Sequence, residues 1–339
     1  MNPLQPFARR AVFLRELVCC AAVCCVLLGL GTAAAHAEDG VSLRGPKAAG
    51  QSSVYEMRTD TVEMRNTQMG ENEASERVEI TSETKARWTV ESVAADGSSV
   101  CRLDVLAIVY QRQAGDGPAL RIDSGKAPSD ERLGTLYETF RAVTQTPMTV
   151  RLEADGSVAS LEGYDRMARR APEAELLPES RRFELLAEQM ARLPDAPERT
   201  EVGEGWDRAF SAPGETLAPR LSTLHEIDAT YTLAELGELE GVPVATVDVE
   251  RTFEAELDRS EIPDNAPPIR LRVSDVSDTE RIYFDLDRGE VAARDGRSAA
   301  TFTVTIQVPN GGPRIVQTMR TESVSQTLRV EAGGPGEEG

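Results

Sequence analysis

The pattern of apolar positions changes character along the chain. Leu17 to Leu30 is almost wholly apolar, with Gly29 as its one break. From Ser52 onward, apolar and polar residues mostly alternate, the period of half-buried strands. Tyr55, Met57, Thr59 and Thr61 share one parity and Val62 and Met64 take the other, which predicts a bulge or bend. Val78, Ile80, Trp88, Val90 and Val93 fall in a long run with few breakers. Ala95-Asp96-Gly97-Ser98 predicts a hairpin turn into a strand over Val100 to Tyr110. A second hairpin is predicted from Thr149 to Leu161, around Asp155-Gly156.

A helical period replaces the strand period in three places. Ser129 is placed to cap a helix, with Asp130 and Glu131 in its first turn and Leu133, Leu136, Tyr137 and Phe140 on one face. A short helix covers Tyr164 to Arg170. A longer one runs from Pro178 to Leu193, with Phe183, Leu186, Met190 and Leu193 at three- and four-residue intervals, and Pro194 stops it. The strand pattern returns over Leu221 to Leu236 and, after the Glu240-Gly241 turn, over Val242 to Leu257. Ser260 to Pro268 is a Pro-rich loop. Hairpins then centre on Arg288-Gly289 and on Asn310-Gly311-Gly312.

These elements predict an α+β, β-rich fold with long curved antiparallel sheets and two or three helices packed on a sheet face. The expected organisation is a signal peptide over 1–37, a flexible leader over 38–50, and a first β-rich half with helices over 51–193. A linker or surface loop over 194–205, rich in Pro, Glu and Gly, leads to a second β-rich half over 206–331 and a disordered tail over 332–339. Gly156 to Gly163 parallels Gly289 to Gly296, and each half has an earlier hairpin turn. Duplication into two similar halves explains this, and so does the chance recurrence of hairpins in a β-rich chain.

The N-terminal run carries an address. Arg9, Arg10 and Arg15 supply the positive start, and Ala35-His36-Ala37 supplies a small-x-small cleavage site. The apolar core is about 14 residues, whereas a spanning helix needs about 20, so cleavage is expected ahead of retention as an anchor. Arg9-Arg10 stands one residue out of step with twin-arginine spacing, and neither Cys19 nor Cys25 follows the small residue that lipid attachment needs. The expected location is the periplasm, the cell surface or the extracellular space.

Cleavage changes the candidate chemistry. Of five cysteines only Cys101 survives, and of two histidines only His225. One cysteine allows no intramolecular disulfide, and one Cys with one His builds no Cys/His zinc site. Cys101, in an alternating stretch, reads as a small buried or half-buried side chain. A Ser-His-Asp triad would have to use His225, which lies in a strand-like stretch with no nucleophile motif nearby. There is no nucleophile elbow, phosphate loop or dinucleotide fingerprint. The sequence therefore assigns no catalytic, cofactor-binding, metal-binding or ligand-binding residue, and no cofactor.

Charge narrows the partners. The chain has 57 acidic against 37 basic residues, a net charge of −20, and loss of the signal deepens it. That argues against nucleic acid and anionic membrane surfaces. The carboxylates form no clear metal site. Asp285-x-Asp287-x-Gly289-Glu290 starts like a calcium loop, but glycine stands at a ligand position and no Glu closes the loop. Asp275, Asp278 and Glu280 lie in a loop-like run that could bind a cation weakly, and both runs read as turn and surface carboxylates ahead of a cation site. Met57, Met64 and Met69 fit strand packing at least as well as copper. Trp88 and Trp206 read as core residues, with sugar stacking as the alternative.

The chain resembles an uncharacterised family of secreted bacterial proteins, a domain of unknown function. The resemblance is carried by Gly50-Gln51 to Tyr55, Trp88-Thr89-Val90 to Asp96-Gly97, Asp123-Ser124 and Asp155-Gly156-Ser157-Val158. It continues through Val202-Gly203-Glu204-Gly205-Trp206, Tyr231-Thr232-Leu233 and Phe284-Asp285-Leu286 to Gly289-Glu290-Val291. It covers nearly the whole chain beyond the signal and implies secretion and a β-rich plan, with no activity to carry over. Three readings of function follow. The first is non-catalytic binding of an apolar or envelope ligand in a groove between sheet and helix. The second is a structural or assembly protein of the envelope with an acidic surface. The third is a carboxylate-based hydrolase. None requires a membrane-spanning mature chain, and the sequence assigns no oligomeric state.

Overall fold

Long alternating stretches build long strands, and the strands join into one antiparallel sheet. The computed structural model describes residues 40–45, 48–128, 130–173, 177, 180–191, 193–218, 221–257, 267–307 and 314–333. The predicted signal peptide, the predicted Ser129 cap, Pro178, most of the Ser260–Pro268 segment, Asn310-Gly311-Gly312 and the last residues of the predicted tail lie outside the described residues. The strands are β1 (Ser52–Met69), β2 (Asn72–Val93), β3 (Ser99–Ala114), β4 (Leu120–Asp123), β5 (Met148–Leu152) and β6 (Val158–Glu162). They continue as β7 (Gly205–Ala218), β8 (Leu221–Leu239), β9 (Val242–Leu257), β10 (Ile269–Asp285), β11 (Glu290–Gln307) and β12 (Arg314–Gly333). The helices are α1 (Gly134–Thr144), α2 (Tyr164–Arg170) and α3 (Ser180–Ala191). None of the described helices is long and apolar enough to cross a membrane.

Strand order is β6-β5-β3-β2-β1-β12-β11-β10-β9-β8-β7, with β4 also paired to β3. The first and last strands thus meet at the centre, in register from Ser52↔Gly333 to Met69↔Ile315. The sheet is open, with β6 and β7 as its edges. Helix α3 packs against both β6 and β7 and against β11, so one helix bridges the two edges across the inner face.

The first half buries its inner face in a dry core. Tyr55, Trp88, Cys101, Leu103, Met148 and Val150 are at most 1% exposed and pack with Met167, Phe183 and Met190 of the helices. Area removed from water, at about 25 cal/mol per Å² of apolar surface, is the main favourable term here. Cys101 is fully buried with its sulfur 3.7 Å from the Ser99 hydroxyl, an inert core thiol. The outer face carries ion-pair ladders instead, such as Lys85–Glu56 and Arg58–Glu83.

Several expectations shift in detail. Helix α1 buries Thr139, Ala142 and Val143, while Leu136, Tyr137 and Phe140 sit half-buried at its margin, because the smaller side chains let its axis approach the sheet. Phe140 meets Tyr110 edge-on at 6.4 Å. Within 38–50, Leu43 is fully buried and the Gly45 carbonyl lies where a Cβ on Gly289 (φ 66°) would stand. Within 194–205, Thr200 is buried and the Pro194 carbonyl accepts the Trp206 indole N–H at 3.1 Å. Strand β12 runs to Gly333, beyond the expected start of the tail.

The second half departs from a continuous sheet at one place. Pairing of β9 with β10 runs from Asp285↔Val244 only to Asp278↔Arg251. Beyond that rung, Thr252–Leu257 pairs with β8 and Ile269–Ser274 pairs with β11, and the two segments do not pair with each other. A bulge at Ser274–Ser277, with Asp275 at φ 55°, turns β10 away. The rings of His225 on β8 and Phe302 on β11 nevertheless stack at 5.8 Å. Three strand spacings on a flat sheet would be about 14 Å. The sheet therefore forks and folds back, and β8–β9 faces β10–β11 across an apolar cluster that includes Phe253, Phe302, Val304 and Met319.

Candidate ligand-binding cavity

Polar residues on the inner face of β7–β12 gather at one level, directly under the fork. There α3 stands off the sheet and leaves a cavity of ≈ 270 Å³. One wall is apolar, made by Leu185 of α3, Phe210, Ile227 and Tyr231. The polar lining is Arg251, Asp278, Glu280 and Arg294, together with Ser298 and Ser325. Arg208 and Glu188 close the side nearest the helix.

The register explains this convergence. Cross-strand pairs Arg251↔Asp278 and Glu280↔Gly296 put these side chains on one face, since residues two apart on a strand point the same way. Arg251 bonds Asp278 at 3.1 Å and makes a short contact with Glu280, and Arg294 reaches Glu280 at 3.1 Å. Arg208 bonds Glu188 at 3.1 Å and Asp195 at 3.2 Å, and lies 4.8 Å over the Phe210 ring.

The electrostatics follow from burial and pairing. Burial would push the Glu280 carboxyl up, but the flanking guanidiniums of Arg294 and Arg251 win and hold it below its ordinary value. For Asp278 burial wins over Arg251, and its carboxyl is raised. Burial opposes the Arg251 cation, and the Glu280 and Asp278 carboxylates outweigh it. Arg294, 6% exposed, gives Nη1 to Glu280 while its Nε has no partner. An orphaned buried guanidinium nitrogen is costly, roughly 1–3 kcal/mol, unless an acceptor arrives.

The sequence candidates fall into place around this site. Asp278 and Glu280 lie in a strand rather than a loop and line the cavity, paired with arginine rather than poised for a cation. Asp285 and Glu290 are each 1% exposed, not surface carboxylates. Asp285 Oδ1 accepts the backbone N–H of Asp287 and Arg288, both at 2.9 Å, and Oδ2 takes Arg329 at 2.6 Å. Glu290 Oε1 accepts Ser53 at 2.6 Å, Arg288 at 2.6 Å and Arg329 at 2.9 Å. Two arginines thus supply the positive charge a calcium ion would bring, and they tie β1 and β12 to the β10–β11 turn. No cluster of metal-ligating side chains occurs among the described residues.

His225 is a packed core residue. It is 9% exposed and stacks on Phe253 at 4.4 Å. Its Nε2 lies 3.0 Å from the Thr223 hydroxyl. Burial, helped by Arg182, lowers its pKa to about 4, so it is neutral at pH 7. Trp88 lies in the first core, and Trp206 stacks on Tyr231 at 5.1 Å, beside the cavity. Met57 packs against the first core while Met64 and Met69 are exposed on opposite faces of β1, so the three do not converge. The residues that sequence reasoning missed are Arg208, Arg251, Arg294 and Glu188. Their one signal is arginine at apolar-parity positions of alternating strands, as in Arg251-Thr252-Phe253.

The fold and site define a β-rich protein with a large open antiparallel sheet, a bridging helix and a mixed polar-apolar cavity. No protein-family model and no curated protein matches the chain. Among solved structures, the lipovitellin chain described under lipid–protein interactions shows 9% identity at TM-score 0.38, over 86% of this chain and 26% of that one. This chain thus spans about a quarter of that protein's length. The outer membrane protein OprG from Pseudomonas aeruginosa shows 6% identity at TM-score 0.18, over 85% and 96% of the two chains. OccAB4 from Acinetobacter baumannii shows 8% identity at TM-score 0.23, over 82% and 99%. Likenesses at this level carry no argument about fold or function. The β-rich plan implied by the family resemblance is the plan observed.

Proposed function

We propose that the chain is an exported, non-catalytic binding protein of the cell envelope, with its ligand in the cavity between α3 and the sheet. Export rests on residues 1–37, with their positive start, apolar core and small-x-small site. Binding rests on the cavity itself. It is concave, with an apolar wall and a few convergent polar groups, the composition of small-molecule sites. A hydrolase finds less support. Of the carboxylates lining the cavity, Glu188 is paired with Arg208 and Arg181 and Glu280 with Arg251 and Arg294, which leaves Asp278 without an uncommitted second acid to work with.

Native mass spectrometry of the full chain purified from its own envelope tests this reading. A discrete adduct is expected, and Ser298→Phe, which fills the cavity, should lose it with the melting temperature little changed. A bare chain in repeated preparations, or an adduct kept by Ser298→Phe, contradicts it.

One observation favours the assembly reading as second. The facing edges of β9 and β10 beyond the fork are unpaired with each other, and Val324 and Leu328 on the outer face of β12 are 48% and 49% exposed. Sedimentation that changes with concentration would support it.

A further inference from the structure

The inner face of the second half changes character at the same level on each strand. On β9, Arg251 is followed on its face by Phe253, Ala255 and Leu257. On β10, Asp278 gives way to Val276, Val273 and Leu271. On β11, Ser298 gives way to Ala300, Phe302 and Val304. The step coincides with the last β9–β10 rung, so the charged belt ends where the two layers part. Phe302, Val304 and Met319 are at most 2% exposed there, while Phe253, Leu257, Leu271, Val273 and Ile306 around them are only partly buried.

The belt itself has one donor to spare. Both Glu280 oxygens are taken, by Arg294 and Arg251, and Glu188 is taken by Arg208 and Arg181. Arg294 keeps Nε without an acceptor. An incoming group that offers acceptors is therefore favoured over one that offers donors.

We propose that the cavity takes an amphipathic oxyanion, a carboxylate or phosphate head on an alkyl chain. The head meets Arg294 and Arg251, and the chain runs along the apolar sleeve of Leu185, Phe210, Ile227 and Tyr231. This rests on the cavity being a ligand site, and it names the ligand class. A divided surface of this kind orients one molecule: charge-assisted hydrogen bonds fix the head, and apolar contact along the sleeve supplies most of the affinity.

Titration of the full chain with dodecanoate, dodecyl phosphate, dodecanol and dodecyltrimethylammonium, each below its micelle concentration and followed by calorimetry, tests it. Both oxyanions should bind at least tenfold tighter than the ammonium. Their relative affinity separates a carboxylate from a phosphate source. Arg294→Gln should cut dodecanoate affinity at least tenfold while leaving dodecanol little changed. Ile227→Ser should weaken dodecanoate several-fold and keep the preference for oxyanion over ammonium, which keeps the test open if the arginine variant fails to fold. Equal binding of oxyanion and ammonium overturns the proposed class, even where the native adduct and its loss in Ser298→Phe uphold the cavity as a ligand site. Undiminished dodecanoate binding by Ser298→Phe overturns the placement.

Discussion

The two halves of the sheet use the same inner face in opposite ways. In the first half, helices and sheet enclose Trp88, Leu103 and Met148, each at most 1% exposed, with no charged side chain among them. In the second half, the corresponding face carries Arg208, Arg251, Arg294, Asp278 and Glu280, and above them an apolar cluster in which Phe302, Val304 and Met319 are buried and Phe253, Leu257 and Leu271 partly so. A dry core needs continuous close packing, because each missing contact is a loss. The second half leaves a cavity in that packing, lined in part by Arg294, whose Nε is short of a partner. The difference separates the part of this fold that is packed shut from the part that holds a cavity.

The comparison can be broken by measurement, starting where the largest effect is expected. Arg329→Ala removes the cation shared by Asp285 and Glu290, both buried, and should cost about 4 kcal/mol in urea unfolding. A cost near that of a surface pair would mean that the clamp joining β1 and β12 to the β10–β11 turn is solvated.

Acid should strike the second half first. The pKa of His225 is lowered from 6.5 to about 4, so its contribution is complete above pH 6.5 and is lost as pH falls from there to about 4. The linkage is worth up to about 3 kcal/mol. Over that window the wild type should lose this much more stability than His225→Phe. Parallel pH curves for the two would show that His225 titrates freely.

Truncation compares the two apolar regions directly. Leu103→Ala, in the closed core, should cost about 3 kcal/mol and Leu271→Ala about 1 kcal/mol. Equal costs would make the apolar cluster at the fork as tightly packed as the first core. Smallest is Lys85→Ala on the outer face, where the pair with Glu56 is exposed and worth at most about 0.5 kcal/mol.

Much of the fold was legible because turns and alternation are local. Asp96-Gly97, Asp155-Gly156, Glu240-Gly241 and Arg288-Gly289 each mark a turn between paired strands. Helices α2 and α3 follow from their apolar spacing. Strand β7 was not legible, since Pro213 and Gly214 interrupt it and it pairs on one side only. Nor was most of β10, because charged Asp278 and Glu280 occupy positions where alternation looks for apolar residues. The same reason hid the cavity. Its arginines pair with carboxylates on other elements, and only the register of β9, β10 and β11 brings them together. Burial of Asp285 and Glu290 likewise depends on Arg329, on a strand far along the chain.

Amide hydrogen exchange with and without dodecanoate tests the central contrast most directly. In the free chain, amides of 252–257 and 269–277 should exchange faster than those of 101–105 and 148–152. Added dodecanoate should slow the first two segments and leave the others unchanged. Unchanged exchange in 252–257 and 269–277, or equal slowing in both halves, would contradict the account.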